Sequence, residues 1–124
     1  MTIGEAITGS QRRLGAVVPS GVLVQWLSHL DGAMDRELHK THHMDSAPSF
    51  VPYEPDTDLS TPLLVPFPYD TMYVPYLEMK TAEVLGETLL CNNAASQYHS
   101  ALLTYMDAVN RECTPKGAQH LKLF

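Results

Sequence analysis

The stretch from Leu63 to Lys80, LLVPFPYDTMYVPYLEMK, restricts the fold of this 124-residue chain more than any other. Leu63, Leu64 and Val65 run into Pro66 and Pro68. Each proline lacks a backbone N–H and fixes φ, so neither a central strand nor a helix interior passes through them. Past that corner, Asp70 or Thr71 is placed to cap a helix by accepting from an orphan N–H of its first turn. Tyr69, Tyr73, Tyr76 and Leu77 then recur at helical spacing and predict one aromatic-rich face looking inward. A short extended segment, turned by a rigid proline corner into a long helix, is the hub of the chain.

Upstream of the hub, residues 2 to 16 set Ile3, Ile7, Leu14 and Val17 among Gly4, Gly9 and Gly15, which predicts a short helix weakened by glycine. Pro19-Ser20-Gly21 ends it, with Ser20 the expected cap of the next helix. From Val22 to about Thr41, Leu23, Trp26, Leu27, Leu30, Met34 and Leu38 recur at i, i+3, i+4 intervals, the pattern of an amphipathic helix with one buried stripe. Gly32 is its weak point, at about 1 kcal/mol relative to alanine.

Met44 to Pro62 loses this periodicity and carries Pro48, Pro52, Pro55 and Pro62, so an arm over about 44–65 is expected. Ser49-Phe50-Val51 and Leu63-Leu64-Val65 are placed to pair as a small hairpin around Pro55-Asp56-Thr57-Asp58, with an extended loop as the alternative. Isolated hairpins are marginal in water, so such an arm gains stability only by docking on the helices or on a neighbouring subunit. Phe50, Val51 and Tyr53 are its candidate partner-binding residues.

Downstream, a third helix is expected from about Asp70 to Leu90, with Pro75 tolerated in its first turn. Cys91-Asn92-Asn93 is the expected break. A fourth helix follows from about Ala94 to Arg111, with Ala95, Tyr98, Leu102, Tyr105 and Val109 as its stripe. Thr114-Pro115-Lys116-Gly117 stops it. Leu121, Leu123 and Phe124 then stand without a partner element in the sequence. Burying each would contribute roughly 1.5–3 kcal/mol, which makes them candidate partner-binding residues; a frayed terminus is the alternative. The expected fold is therefore mainly α: a small bundle of three to four helices, with a proline-rich loop or β-hairpin arm between the second and third. Residues 1–113 form the helical domain and 114–124 a tail.

The length fits one domain with a modest core. No apolar run approaches the ~18 residues of a membrane helix, and Met1-Thr2-Ile3-Gly4-Glu5 lacks a basic start, so neither a membrane span nor a signal peptide is expected. A net charge of −6 disfavours a free-standing nucleic-acid binder, and no basic recognition helix supports a helix-turn-helix regulator. Cys91 and Cys113 fit a reducing cytosol; on one unbroken helix they would stand ~33 Å apart, far beyond the ~7 Å that a disulfide tolerates.

Few residues suggest chemistry. Asp31, Asp35, His39 and His43 follow one another at i+4, in one line down the second helix. Two neighbours of that line could hold a divalent metal or act as an acid–base pair. No HExxH pattern accompanies them and Asp31 repels Asp35, so the expectation is a solvated face without metal. His39, His42 and His43 suit the negative end of a helix dipole. The tyrosines at helical spacing read as core or subunit contacts rather than a stacking platform. Cys91 has no basic neighbour to activate it.

One pattern reaches further. LLVP-x-PYD-x-x-Y-x-x-YLE-x-K from Leu63, followed by Gly86-Glu87 and Asn92-Asn93, resembles the small neck proteins of long-tailed bacteriophages, the head–tail connector or adaptor subunits. Trp26 to His42, WLSHLDGAMDRELHKTH, resembles a WL-x-x-LD segment of the same proteins, and Val109 to Gly117 resembles their YNR-x-x-x-PKG ending. The resemblance implies a non-enzymatic virion protein without cofactor, made in the host bacterial cytoplasm and placed between head and tail. It further implies a homo-oligomeric ring, usually twelvefold, that meets the portal protein and further neck or tail-completion proteins while DNA passes through the lumen. The alternative is a small helical metal-binding protein or enzyme using Asp35 and His39.

Overall fold

A computed structural model describes residues 1–39 and 50–112. The expectations for His42, His43, Met44 to Ser49 and everything from Cys113 onward lie outside the described residues. Those described are mainly helical, with four α-helices: α1 (Ile3–Leu14), α2 (Ser20–Met34), α3 (Tyr73–Leu85) and α4 (Thr88–Glu112). No helix among them is long and apolar enough to cross a membrane.

Helix α1 begins with a reciprocal cap. The Glu5 N–H donates to the Thr2 hydroxyl, and the Thr2 N–H donates to the Glu5 carboxylate. Hydrogen bonds from Thr2 to the carboxylate, first of all from its backbone N–H and then from its side chain, hold the Glu5 pKa below its ordinary value. Ile3, Ala6, Ile7 and Ser10 form the buried face, whereas Val17, expected on the stripe, is exposed beyond the helix end. Ser20 is not a cap: Pro19 holds that position, and no side chain closes the first turn of α2.

Two ion pairs fix α1 against α3. The Met1 ammonium lies 2.8 Å from Asp70, and Arg13 donates twice to Glu78, at 2.7 and 2.6 Å. Gly9 sits between them against Val74, so residue numbers rise together along both helices and α1 and α3 run parallel. Tyr69–Tyr105 and Tyr76–Tyr98, with ring centroids 5.6 and 5.2 Å apart, make α4 antiparallel to α3. Helix α2 supplies Leu23, Val24, Leu27, Leu30 and Met34 to the same core, and Lys80 sits 5.7 Å from the Trp26 ring centroid. Past Met34 the chain widens into a π-helical turn, Asp35–His39, so the i+4 register assumed from Asp31 onward is not kept through His39.

The proline corner is present, with a cis Phe67–Pro68 peptide. It leads into a single 3-10 turn, Asp70–Met72, before α3. Neither Asp70 nor Thr71 caps that turn; Asp70 receives the Met1 ammonium instead. Pro75 lies in the first turn of α3, where its missing N–H costs nothing.

The expected break at Cys91-Asn92-Asn93 is corrected: these residues lie inside α4, and the break is at Gly86. Gly86 has φ +73°, and Glu87 N–H reaches back to the Ala82 carbonyl at 3.0 Å, the geometry of a glycine-closed helix end. Cys91 N–H already donates to the Glu87 carbonyl, so α4 is under way six residues before Ala94.

The hairpin alternative for the arm is likewise not formed. No strand occurs among the described residues; residues 50–65 run as a loop with a single antiparallel bridge, Thr2 to Pro62. The amides expected to pair go elsewhere: Leu63 to the Met1 carbonyl, Leu64 to the Asp31 carboxylate, Val65 to the Tyr73 hydroxyl. Leu63, Leu64 and Val65 are all buried, so the segment packs as core rather than as one edge of a ribbon.

Candidate functional site

The most organised polar constellation is centred on Asp31. This residue lies in the apolar stripe of α2, one turn beyond Leu27 and just before Met34, and none of its surface is exposed. A carboxylate there requires compensation by hydrogen bonds. It receives three: from Tyr53 Oη at 2.5 Å and the Leu64 N–H at 3.0 Å on one oxygen, and from Tyr73 Oη at 2.6 Å on the other. The Tyr73 hydroxyl in turn accepts from Val65 N–H at 2.8 Å, and the Tyr53 N–H donates to Ser28 Oγ at 3.0 Å. The arm, α2 and the start of α3 thus meet on one side chain.

Burial raises the Asp31 pKa above the ordinary carboxylate value, opposed by the two tyrosine hydroxyls and the Leu64 amide. Burial first, and then the Asp31 charge, pushes both Tyr53 and Tyr73 upward, so both hydroxyls remain donors. Tyr76 is pushed up to about 12 by burial and by Tyr98. Asp31 itself is closed to solvent, and both of its oxygens accept hydrogen bonds, two on one and one on the other. Its chemistry is that of a structural clasp.

The solvated face expected for Asp31 and Asp35 is therefore corrected, because both are buried. Asp31 is not open to a metal, because its oxygens are occupied by Tyr53, Tyr73 and Leu64; the His39 side chain lies outside what the structure describes. Among the described residues, no three His, Cys, Asp or Glu side chains gather in a metal-holding group. Cys91 is a half-buried free thiol.

The arm residues separate in role. Tyr53 is tied inward by its hydroxyl and its amide, and Phe50 packs edge-on against it with ring centroids 5.5 Å apart. Val51 is 72% exposed. With Pro52, Leu63 and Leu64 these residues line a groove of about 370 Å³ whose walls are mostly apolar. Leu121, Leu123 and Phe124 lie outside the described residues. A second groove, of about 610 Å³, runs between the proline corner and α4, lined by Pro68, Tyr69, Ser96, Gln97, Ser100 and neighbours.

Sequence reasoning missed the Asp31 node and the Arg13–Glu78 pair. The signal for the first was available: Val24, Leu27, Asp31, Met34 and Leu38 share one face, so a carboxylate stands in the middle of a buried stripe. No protein-family model matches the chain, and comparisons with curated proteins and with solved structures return no significant match.

Proposed function

We propose that this chain is a structural subunit of a tailed-phage neck, a head–tail connector or adaptor that assembles as a ring on the portal. The reading rests on the resemblance of the sequence pattern, from about Trp26 to Gly117, to that family. Two segments of that resemblance, Trp26-Leu27-x-x-Leu30-Asp31 and Leu63-Leu64-Val65-Pro66 through Tyr73, meet at the buried carboxylate. The pattern therefore describes a packing unit, which suits a protein whose role is mechanical.

The charge supports the same reading. A net charge of −6 leaves few sites for phosphate, which binds wherever lysine and arginine gather, and so suits a lumen through which DNA slides. Partner contacts fall to the arm, through Phe50, Val51 and the outer edge of Tyr53, and to the C-terminal segment, through Leu121, Leu123 and Phe124. Sedimentation of the purified chain, alone and mixed with the portal ring of its phage, tests the proposal. Co-sedimentation at a fixed ratio is expected. A chain that stays at the top of the gradient at every portal concentration contradicts it.

A further inference from the structure

The groove beside Val51 has a chemistry that selects an occupant. Phe50, Val51, Pro52, Leu63 and Leu64 give it an apolar floor. Between residues 50 and 65 the arm holds three carboxylates, Glu54, Asp56 and Asp58, and no lysine or arginine. Glu54 and Asp56 are exposed, and Asp58 is turned to Ser60. These carboxylates stand outside the groove lining, next in sequence to Tyr53 and Thr57, so an occupant that fits is short and apolar, with basic groups beside its apolar part.

The chain itself contains one such segment. Residues 113–124, CTPKGAQHLKLF, carry Lys116, His120 and Lys122, no acidic side chain, and the apolar Leu121, Leu123 and Phe124. The direction of α4 brings its own C-terminal end, Glu112, to the end of the molecule where the arm is anchored. Helix α4 runs antiparallel to α3 and packs Tyr105 on Tyr69, beside the turn whose Asp70 binds the Met1 ammonium. Leu63 donates to the Met1 carbonyl at the same end. The chain thus leaves α4 on the side where the arm is anchored. The twelve residues beyond Glu112 reach about 40 Å when extended.

We infer that the groove lined by Phe50, Val51, Pro52, Leu63 and Leu64 receives the segment 118–124 of a second copy of this chain. Leu121, Leu123 and Phe124 fill the apolar floor, and Lys122, with Lys116 just ahead of the segment, faces the arm carboxylates Glu54 and Asp56. The exchange between copies rests on the ring assembly proposed above; the groove and its charge do not. A contact in which a tail on one side of a subunit meets a groove on the next is head-to-tail, and closes into a ring when the rotation between copies allows.

The test is a disulfide trap in the full-length chain. Val51→Cys and Leu123→Cys are introduced together where Cys91 and Cys113 are replaced by serine, and the protein is oxidised under native conditions. A bridge forms only when the two Cα atoms come within about 7 Å. Val51 is exposed, so its replacement leaves the core intact, and circular dichroism checks this for each variant. The expected result is a ladder of linked dimers, trimers and larger species on a non-reducing gel. Glu54→Lys with Asp56→Lys should slow its formation roughly tenfold, the scale of electrostatic steering. A fast-migrating monomer, which reports a tail folded onto its own groove, overturns the inference. So does the absence of any bridge, or a ladder indifferent to the charge reversals. A ladder from a chain that ignores the portal would sustain the inference and remove the neck role; portal binding without a ladder would do the reverse.

Discussion

Asp31 illustrates how one side chain can hold three segments that are far apart in sequence. Its oxygens accept from Tyr53, Leu64 and Tyr73, and each of those donors is buried or half-buried. Removing the acceptor leaves all of them without a partner, and an orphaned buried donor costs about 1–3 kcal/mol. Asp31→Ala should therefore destabilise the fold by about 3 kcal/mol or more in urea denaturation. Tyr73→Phe removes a donor to Asp31 and the acceptor of Val65 N–H together, and should cost about 2–3 kcal/mol, more than Tyr53→Phe. Equal effects of the two tyrosine variants would show that the Val65 contact is immaterial.

The titration of Asp31 has a definite sign. Its pKa in the fold is raised above the ordinary 3.8, so the folded state holds the proton more tightly than the unfolded chain. The stability this contributes is full below pH 3.8 and is lost as pH rises through the folded value. An uncharged amide at the same position carries no such dependence. The stability of the native protein relative to Asp31→Asn should accordingly increase between pH 7 and pH 4, read from paired urea titrations. A difference that is constant or shrinks on acidification contradicts the burial of an ionisable Asp31.

At the scale of elements, the helix pair α1–α3 depends on the absence of a side chain at Gly9. A Cβ built there would lie 2.7 Å from Val74 Cγ2, closer than such atoms approach. In an open helix Gly→Ala gains up to about 1 kcal/mol. Here overpacking, at about 1–3 kcal/mol, opposes and exceeds that gain. Gly9→Ala should lower the melting temperature, and adding Val74→Ala should restore most of the loss. Restoration failing would place the strain elsewhere.

The helices were legible in the sequence because their stripes are periodic: Leu23, Leu27, Leu30 and Met34 on α2 are buried as the spacing requires. Their ends were less so. Asn92-Asn93 resembles a break by composition, but both are exposed on α4, where a polar residue is tolerated, whereas Gly86 alone accommodates the positive φ. The Asp31 clasp was hidden for another reason. Its donors come from the arm and from the far side of the proline corner, and no local pattern reports which distant hydroxyl a buried carboxylate will meet.

On the scale of the whole molecule, α1 lies along α3 between the Met1–Asp70 pair and the Arg13–Glu78 pair, roughly 12–18 Å apart along the helix axes. Glu78 is buried while Arg13 is more than half exposed, so Arg13→Ala strands a carboxylate that water reaches poorly. With the exposed partner discounted, the expected cost is about 1–2 kcal/mol, persisting in high salt because the carboxylate end is shielded. A loss that vanishes in 0.5 M salt, on the order of a Debye length of a few ångströms, would instead mark a surface pair.

The proposed neck role is tested most directly by looking for a tailed phage whose genome carries this chain and counting the chain in its purified, DNA-filled particles, by quantitative mass spectrometry against the portal protein. The proposal predicts that the chain is present at a ring-like copy number in a fixed ratio to the portal. Its absence from such particles, with the chain confined to the lysate, would contradict the account.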